Sequence, residues 1–240
     1  MQKLQKLNDR LYYLPYEENS DRPTLSYIKG DNYSIAIDAG NSKSHVELFY
    51  DELKKNNLPL PSLTIITHWH WDHTFGLKYI NGLSISSKKT YDKLNEVKKW
   101  IWTKEEMKKR EETKEDIPFC NEHIVIEYPN LNEIEVVNSD IFIENKTVLD
   151  IGGIEIILLP FVSTHCDDSL FIYVKELNTM IVGDADSPDF YNGEIYDKEK
   201  IRNLIKFYES FDYSTHIFSH YDITTKSDTI SMLKEEYKKL

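Results

Sequence analysis

A seven-residue segment, THWHWDH at residues 67–73, carries three histidines and an aspartate within six consecutive positions. It directly follows LTIIT (63–67), a short apolar and β-branched run that predicts a buried strand. In an extended chain, side chains two positions apart point to the same side, so His68 and His70 form a chelating pair. Such a dense set of ligand-type side chains at a strand end predicts a metal site.

Asp72 and His73 come next, where the chain bends toward a helix, and their side chains can point to a second position close to the first. One ion does not readily accept four such neighbouring ligands. Neutral imidazoles together with a carboxylate suit zinc or iron. The motif therefore predicts two ions side by side, provided that other segments supply further ligands.

Three later residues of ligand type stand at the ends of predicted strands, namely His165, Asp184 and His220. Loops at strand ends often carry functional side chains. Taken alone, a histidine at a strand end or a Gly-Asp dipeptide is more often structural. The dense cluster upstream makes these three residues candidates for the missing ligands.

The segment HWHWDH (68–73) matches the His-x-His-x-Asp-His motif of the metallo-β-lactamase superfamily, and the order of predicted elements resembles that family over nearly the whole chain. The segment IDAG (37–40) is similar to the family's strand-ending Asp-x-Gly. The resemblance implies an α+β fold, the αββα sandwich, in which two mixed β-sheets are flanked by helices. With 240 residues, the chain is expected to form a single domain (1–240) with a helical insertion at about 88–145.

The resemblance also implies how seven residues share two divalent ions. One ion would be held by His68, His70 and His165, the other by Asp72, His73 and His220, with Asp184 as the bridge. Zn²⁺ is the first expectation, with Fe and Mn as alternatives. A metal-bound hydroxide would be the nucleophile at neutral pH. Asp72 would be the catalytic carboxylate that passes a proton to the leaving group.

By this resemblance the chain is similar to dinuclear metal-dependent hydrolases that cut an ester, lactone, thioester, amide or phosphoester bond of a small molecule. An alternative is a mononuclear iron-dependent oxidoreductase similar to the family's persulfide dioxygenases, in which two histidines and an aspartate hold the iron. A metal-free or merely metal-binding scaffold is a third interpretation. His70 stands where the flavodiiron relatives usually carry a glutamate, which favours the hydrolytic branch.

The segment STHCDDS (163–169) departs from the family, in which many members have Gly-His-Thr-Pro-Gly-Ser around the third histidine. One of its carboxylates could orient a metal-bound histidine or meet a cationic group on the substrate, or Asp168 could simply cap the turn. Aromatic residues near the motifs could line the substrate pocket, although such residues are more often part of the core. The weak candidates for substrate contacts are Trp69, Trp71, Tyr191 and Asp168, followed by Trp100 and Trp102.

The formal net charge of −12 disfavours nucleic acid and anionic membrane surfaces as partners, because both attract basic proteins. No apolar stretch approaches the roughly 20 residues that a membrane-spanning helix requires. The first residues do not resemble a signal peptide, and Cys120 and Cys166 are expected to be free thiols. We therefore expect a cytoplasmic protein with a small-molecule substrate, and a homodimer formed through the helical insertion is a further expectation.

Local patterns also predict where several elements begin and end. Ser42 is a suitable helix N-cap, and the residues after it show helical spacing. The other expectations are a helix from about His73 or Thr74, a long charged helix or helix pair over 88–115, a return to β structure past residue 120, and a C-terminal helix starting at Ser227-Asp228.

Overall fold

Two β-sheets form the centre of the fold in the computed structural model, which describes residues 2–240. The first sheet has seven strands, in the order β1 to β7. They are β1 (Gln5–Lys6), β2 (Leu11–Leu14), β3 (Leu25–Lys29), β4 (Ser34–Ile37), β5 (Leu63–Ile65), β6 (Leu83–Ser87) and β7 (Ile141–Ile143). Its first four strands are antiparallel, and β4 to β7 are parallel.

The second sheet has six strands, in the order β13 to β8. They are β8 (Thr147–Asp150), β9 (Glu155–Pro160), β10 (Leu170–Val174), β11 (Thr179–Gly183), β12 (Thr215–Phe218) and β13 (Thr224–Thr225). All neighbouring strands are antiparallel except β11 and β12, which are parallel. Both sheets are therefore mixed, as the family resemblance implies.

Seven helices surround the sheets in residues 2–240. They are α1 (Lys43–Lys55), α2 (Trp71–Thr74), α3 (Lys88–Val97), α4 (Lys104–Thr113), α5 (Pro118–Glu127), α6 (Lys198–Glu209) and α7 (Lys226–Lys239). None of them combines the length and the apolar content that crossing a bilayer requires.

Three hydrophobic layers hold the sandwich together. Between the sheets, aliphatic side chains of the first sheet, such as Ile35, meet those of the second, such as Ile172. On the outer face of the first sheet, Ala36 packs with Phe49 of α1. On the outer face of the second sheet, Phe171 packs with Leu204 of α6. Neighbouring strand residues serve different layers because side chains alternate across a sheet. The order helix, sheet, sheet, helix confirms the predicted αββα fold.

Several predicted helix boundaries need correction. The Ser42 hydroxyl accepts a hydrogen bond from the His45 backbone N–H and begins α1 as predicted. The short helix α2 begins at Trp71, two residues before the predicted start, so Asp72 and His73 lie in its first turn. The C-terminal helix is capped by Thr225 rather than Ser227.

The predicted return to β structure past residue 120 is wrong, because α5 extends to Glu127. Pro118 occupies its first turn, where the missing N–H costs nothing. The β-branched run at 124–126 favours a strand locally. Burial of Cys120 and Ile124 in one cluster with residues of α3 and α4 overrides that preference. The next strand is β7 at Ile141.

Candidate metal centre

The motif of residues 67–73 leaves the carboxyl end of β5 and lies at the edge where the two sheets meet. Asp38, directly after the neighbouring parallel strand β4, accepts a hydrogen bond from the Thr67 backbone N–H (2.7 Å). The Thr67 carbonyl accepts one from the Leu170 N–H (2.7 Å), which ties the motif to the second sheet. Both contacts fix the direction in which the following histidines leave the strand.

Asp38 adopts a left-handed backbone conformation (φ 65°), which an aspartate tolerates better than most residues do. This turn aims its carboxylate at two parts of the site. Besides Thr67, it accepts a hydrogen bond from His73 Nδ1 (2.8 Å). The His73 Nε2 atom is thereby left free to face the centre.

Three histidines converge on one point. His68 Nε2 lies 3.0 Å from His70 Nδ1, and His165 Nε2 lies 2.9 Å from the same atom. All three side chains are buried. Burial, together with the neighbouring histidines, holds the pKa of His68 and of His70 well below the usual value. Neutral imidazoles with converging lone pairs are what a metal ion requires.

A second group, of mixed charge, lies beside the first. It consists of Asp72, His73, Asp184 and His220. Asp72 Oδ2 lies 2.8 Å from His73 Nε2 and 3.1 Å from His220 Nε2. Three of the four residues are buried, whereas 24% of the His220 side chain is exposed. Solvent therefore reaches the centre on the His220 side.

Asp184 faces both groups with one oxygen. Its Oδ2 lies 3.3 Å from His73 Nε2 and 3.4 Å from His220 Nε2 in the second group, and 3.8 Å from His68 Nε2 and 3.9 Å from His165 Nε2 in the first. Its other oxygen, Oδ1, is buried and accepts no hydrogen bond from any residue in 2–240. A buried carboxylate oxygen without a partner is costly, and a bound cation would remove that cost.

The carboxylates of Asp72 and Asp184 stabilise positive charge in the second group. Burial alone would lower the pKa of His73, but the carboxylates of Asp72, Asp184 and Asp38 raise it well above the usual value. Burial would also lower the pKa of His220, but Asp184 and Asp72 raise it in the same way. Burial would raise the pKa of Asp184, but His220 and His73 hold it well below the usual value.

The donor set fits two metal ions. The first group offers three imidazole nitrogens, and the second offers two imidazoles and two carboxylates, within 4.8 Å of one another in each group. These are the ligand types that zinc and iron accept. All seven predicted ligand residues are brought together in these two groups, with Asp184 between them. The other histidines, His45, His123 and His216, belong to neither group.

Helix α5 covers the centre and is anchored at both ends. Near its start, Cys120 Sγ lies 3.7 Å from the hydroxyl of Tyr191, whose ring lies 5.2 Å from the ring of His70. At its last residue, Glu127 forms an ion pair with Arg22 (2.7 Å). Because Tyr191 lies on the first group and Arg22 follows Asp21 near the second, α5 forms one wall of the site.

The four candidates for substrate contact differ in position. Trp69 is half-buried between His70 and Trp100, with ring centroids 4.8 and 6.3 Å away. Trp71 is buried against Phe75 in the core. Tyr191 lies on His70, as described above. A substrate contact by any of these residues stays a prediction.

Asp168 is buried and already has hydrogen-bond partners. Its Oδ2 accepts from the Trp69 backbone N–H (2.9 Å) and from the Thr90 hydroxyl (2.7 Å). Burial raises the pKa of this carboxyl group. These contacts agree with the prediction that Asp168 caps a turn. Through the Trp69 N–H, Asp168 also holds the motif backbone between His68 and His70. Cys166 is buried nearby and free.

Asp21 is a residue of the site that the sequence did not reveal. It adopts a left-handed conformation (φ 52°), and its Oδ1 lies 3.7 Å from His220 Nδ1. The sequence places it almost 200 residues from His220, and a lone Asp-Arg dipeptide carries no motif signal. Only the meeting of the two sheets brings the residues together, through a hydrogen bond from the Thr24 N–H to the Ser219 carbonyl (2.7 Å).

Solved structures share this fold over nearly the full length of the chain. A metallo-β-lactamase from Pontibacter korlensis superposes with a TM-score of 0.68 at 16% identity, covering 98% of this chain and 99% of that one. The inverting sec-alkylsulfatase Pisa1 from Pseudomonas sp. superposes with a TM-score of 0.66 at 13% identity, covering 99% of this chain and 41% of that one. A metallo-β-lactamase superfamily protein from Sulfolobus tokodaii reaches 0.60 at 16% identity, with coverage of 94% and 85%.

At these identities the structures show a common fold and carry no substrate over to this chain. No curated protein has a sequence that matches it. The family model described as the metallo-β-lactamase superfamily matches residues 21–220. That range includes all seven candidate metal ligands and both sheets apart from the short segments at either end. The chain therefore belongs to the metallo-β-lactamase superfamily.

Proposed function

We propose that the protein is a dinuclear metal-dependent hydrolase of a small molecule with an ester, lactone, thioester or phosphoester bond. The observation that carries this proposal is the position of Asp184 Oδ2, within 4 Å of histidine nitrogens in both ligand groups. When bound, two divalent ions would supply an acidified water as nucleophile and polarise the bond that is cut.

The side chains divide the remaining work. His68, His70 and His165 hold one position, and the neighbouring group holds the other. Asp72 Oδ2 contacts the Nε2 atoms of His73 and His220. Its Oδ1 accepts no hydrogen bond from any described residue. In this proposal, Asp72 Oδ1 takes the proton of the attacking water and passes it to the leaving oxygen, or to the leaving sulfur of a thioester, as the bond from the carbonyl or phosphoryl centre to that atom breaks.

Burial supports the same interpretation. Six of the seven ligand residues are less than 8% exposed, so the charges of Asp72 and Asp184 act in a site with little competing water. The wall formed by α5 and Tyr191 shields the first group, and the exposed part of His220 leaves an entrance at the second.

The single-iron oxidoreductase has less support from the geometry. In that interpretation two histidines and Asp184 are sufficient to hold the single iron. Here a third histidine joins the same group, because His70 Nδ1 lies at hydrogen-bond distance from both His68 Nε2 and His165 Nε2. The second group would also be left without a role.

Metal content is the test. Elemental mass spectrometry of protein purified without chelator should give about two divalent ions per chain, and the loaded protein should hydrolyse members of an ester, lactone, thioester and phosphodiester panel. About one iron per chain, with oxygen uptake on a thiol persulfide and no hydrolysis, would support the oxidoreductase instead.

A further inference from the structure

The turn that carries Asp184 begins where β11 ends, at Gly183. The last hydrogen bond to the neighbouring segment before the turn runs from the Ser219 N–H to the Gly183 carbonyl (3.0 Å). Gly183 has a left-handed backbone (φ 64°), and the register between β11 and β12 shifts at this point. A hydrogen bond from the Ser187 N–H to the Asp184 carbonyl (2.9 Å) then closes the turn over residues 184–187. The sheet ladder alone therefore does not fix the position of the Asp184 carboxylate.

Thr164, the residue before His165, holds this turn through its side chain. Its hydroxyl oxygen lies 2.6 Å from the Ala185 carbonyl oxygen and 2.8 Å from the Ser187 carbonyl oxygen. A hydroxyl has one proton, which here is shared between two acceptors. Among residues 2–240, no other group donates a hydrogen bond to either carbonyl. Thr164 and Ala185 are both 1% exposed, so water does not readily replace the hydroxyl.

His165 itself makes a parallel contact with the loop after β11. Its Nδ1–H donates a hydrogen bond to the Pro188 carbonyl (3.1 Å). Because a carbonyl can only accept, Nδ1 carries the proton and Nε2 is left to face the centre, 3.9 Å from Asp184 Oδ2. Two adjacent residues of one segment, Thr164 and His165, therefore contact three carbonyls of the loop that carries Asp184.

The two segments are also held by anchors that point away from each other. Asp168 ties the third-histidine segment to the motif of residues 67–73, because its Oδ2 accepts a hydrogen bond from the Trp69 N–H (2.9 Å). Asp186 ties the turn to the core beneath α6, because its Oδ1 accepts a hydrogen bond from the Tyr208 hydroxyl (2.6 Å). Between these anchors, Thr164 is a side chain outside both ligand groups that joins the two segments.

We propose that Thr164 is a positioning residue of the metal centre, whose hydroxyl holds the turn of Asp184 against the segment of His165 and so sets the spacing between the bridging carboxylate and the third histidine. The inference rests on the proposed dinuclear centre and adds to it a residue that contacts neither ion position. In the pattern Gly-His-Thr-Pro-Gly-Ser, a glycine precedes the histidine and could not make this contact. Loss of the hydroxyl should weaken both ions, because Asp184 faces both groups.

Zinc affinity tests this role directly. Thr164→Val replaces the hydroxyl by a methyl group, and Thr164→Ala removes it without placing a methyl group against the carbonyls. Both variants should bind zinc about tenfold or more weakly, measured on the full chain against a competing chelator at a temperature well below unfolding. Thr164→Ser retains the hydroxyl and should restore most of the affinity.

Thr179→Val is the matched control. Thr179 is also 1% exposed, and its hydroxyl donates a hydrogen bond to a backbone carbonyl, that of Leu177 (2.8 Å), at the opposite end of β11. This variant should lose thermal stability and keep its zinc affinity. Cobalt in place of zinc gives a second readout, because its visible absorption responds to ligand geometry rather than to stability. The spectrum should change in Thr164→Val and Thr164→Ala, but not in Thr164→Ser or Thr179→Val.

The outcomes separate this inference from the proposed function. Unchanged zinc affinity in either Thr164→Val or Thr164→Ala would overturn the inference and leave the hydrolase intact. Equal weakening in Thr164→Ser or in Thr179→Val would assign the effect to packing and would overturn it as well. Because the affinities are measured without substrate, an unmodified chain that binds two zinc ions but hydrolyses no member of the panel would overturn the proposed function alone. A chain that takes up no metal would overturn both.

Discussion

Asp38 lies 2.8 Å from His73 Nδ1 and fixes the side of the imidazole that faces the metal centre. The carboxylate accepts a hydrogen bond from the Nδ1–H group. When the ring is neutral, Nε2 therefore presents its lone pair to an ion. The same carboxylate also accepts a hydrogen bond from the Thr67 backbone N–H. The strand end and the ligand are therefore oriented by one residue.

Asp38→Asn should weaken binding of the second zinc ion by about 10- to 100-fold, because an amide is a poorer acceptor and no longer fixes the imidazole. Zinc titration against a competing chelator measures this effect. Asp140→Asn is a matched control, since Asp140 accepts the Ser84 N–H and hydroxyl at another strand end away from both ligand groups. Equal zinc affinity in the two variants would exclude the orienting role of Asp38.

Asp184→Ala should lower the content of both ions, because the carboxylate faces both groups, and hydrolytic activity should be nearly lost. His70→Ala removes a ligand of the first group and should also lose metal and activity. Metal per chain is counted by elemental mass spectrometry. His123→Ala, which changes a half-buried histidine outside both groups, should retain full metal content. Full loading of Asp184→Ala would contradict the bridging position.

The histidines His45 and His216 should also be dispensable for metal content, although both are fully buried. His216 Nε2 lies 2.7 Å from Asp186 Oδ2, and His45 lies in α1 next to Gly40. Alanine at either position therefore removes packing in the core, and thermal stability is measured beside metal content to separate the two effects.

The ion pair between Arg22 and Glu127 should hold α5 over the site. Glu127 Oε1 also accepts hydrogen bonds from the Ser42 and Ser44 hydroxyls, and its side chain is 5% exposed. Glu127→Ala leaves the partly buried guanidinium unpaired and should lower the free energy of unfolding by about 3 kcal/mol, measured by urea denaturation.

The matched control for that experiment is Glu122→Ala, on the exposed side of the same helix, which should change the free energy of unfolding by less than about 0.5 kcal/mol. If both variants unfold at the same urea concentration, the pair does not anchor the helix. Faster proteolysis within α4 and α5 of Glu127→Ala alone would locate the loosened segment.

Local signals in the sequence, together with the family resemblance, were sufficient to predict the sandwich and the seven residues that the structure brings together. Ser42 caps α1 through its own hydroxyl, and THWHWDH follows a strand because apolar β-branched residues precede it. These features depend on neighbours in the chain. The three later ligands could be predicted because each follows a strand of the same sandwich, and the family motif orders them.

The remaining features depend on contacts that no local pattern contains. Arg22 and Glu127 are 105 residues apart, and either charge alone resembles a solvated surface group. Helix α5 opposes the β preference of its own sequence and is fixed by burial of Ile124. Asp21 becomes part of the site only because His220, which follows a strand of the second sheet, lies close to it.

Metal binding should release protons from the two histidines of the second group but not from His68 and His70 of the first. Although burial lowers the pKa of His73 and His220, the neighbouring carboxylates raise both well above the usual value, so both rings are protonated near pH 7 in the metal-free protein. His68 and His70 have a lowered pKa and are already neutral. An ion must displace the protons of the second group, so its affinity should rise with pH until both rings titrate.

Calorimetric zinc titrations at pH 7 in buffers of different ionisation enthalpy count these protons. We expect about two from the rings and up to one more from the acidified water per fully loaded chain, and an affinity of the second ion that rises by up to about 100-fold per pH unit below the pKa values of the two rings. His123→Ala, which changes a half-buried histidine outside both ligand groups, should give the same count. Heats that do not depend on the buffer would mean that both rings are neutral before zinc arrives, and that the carboxylates act on the ion alone.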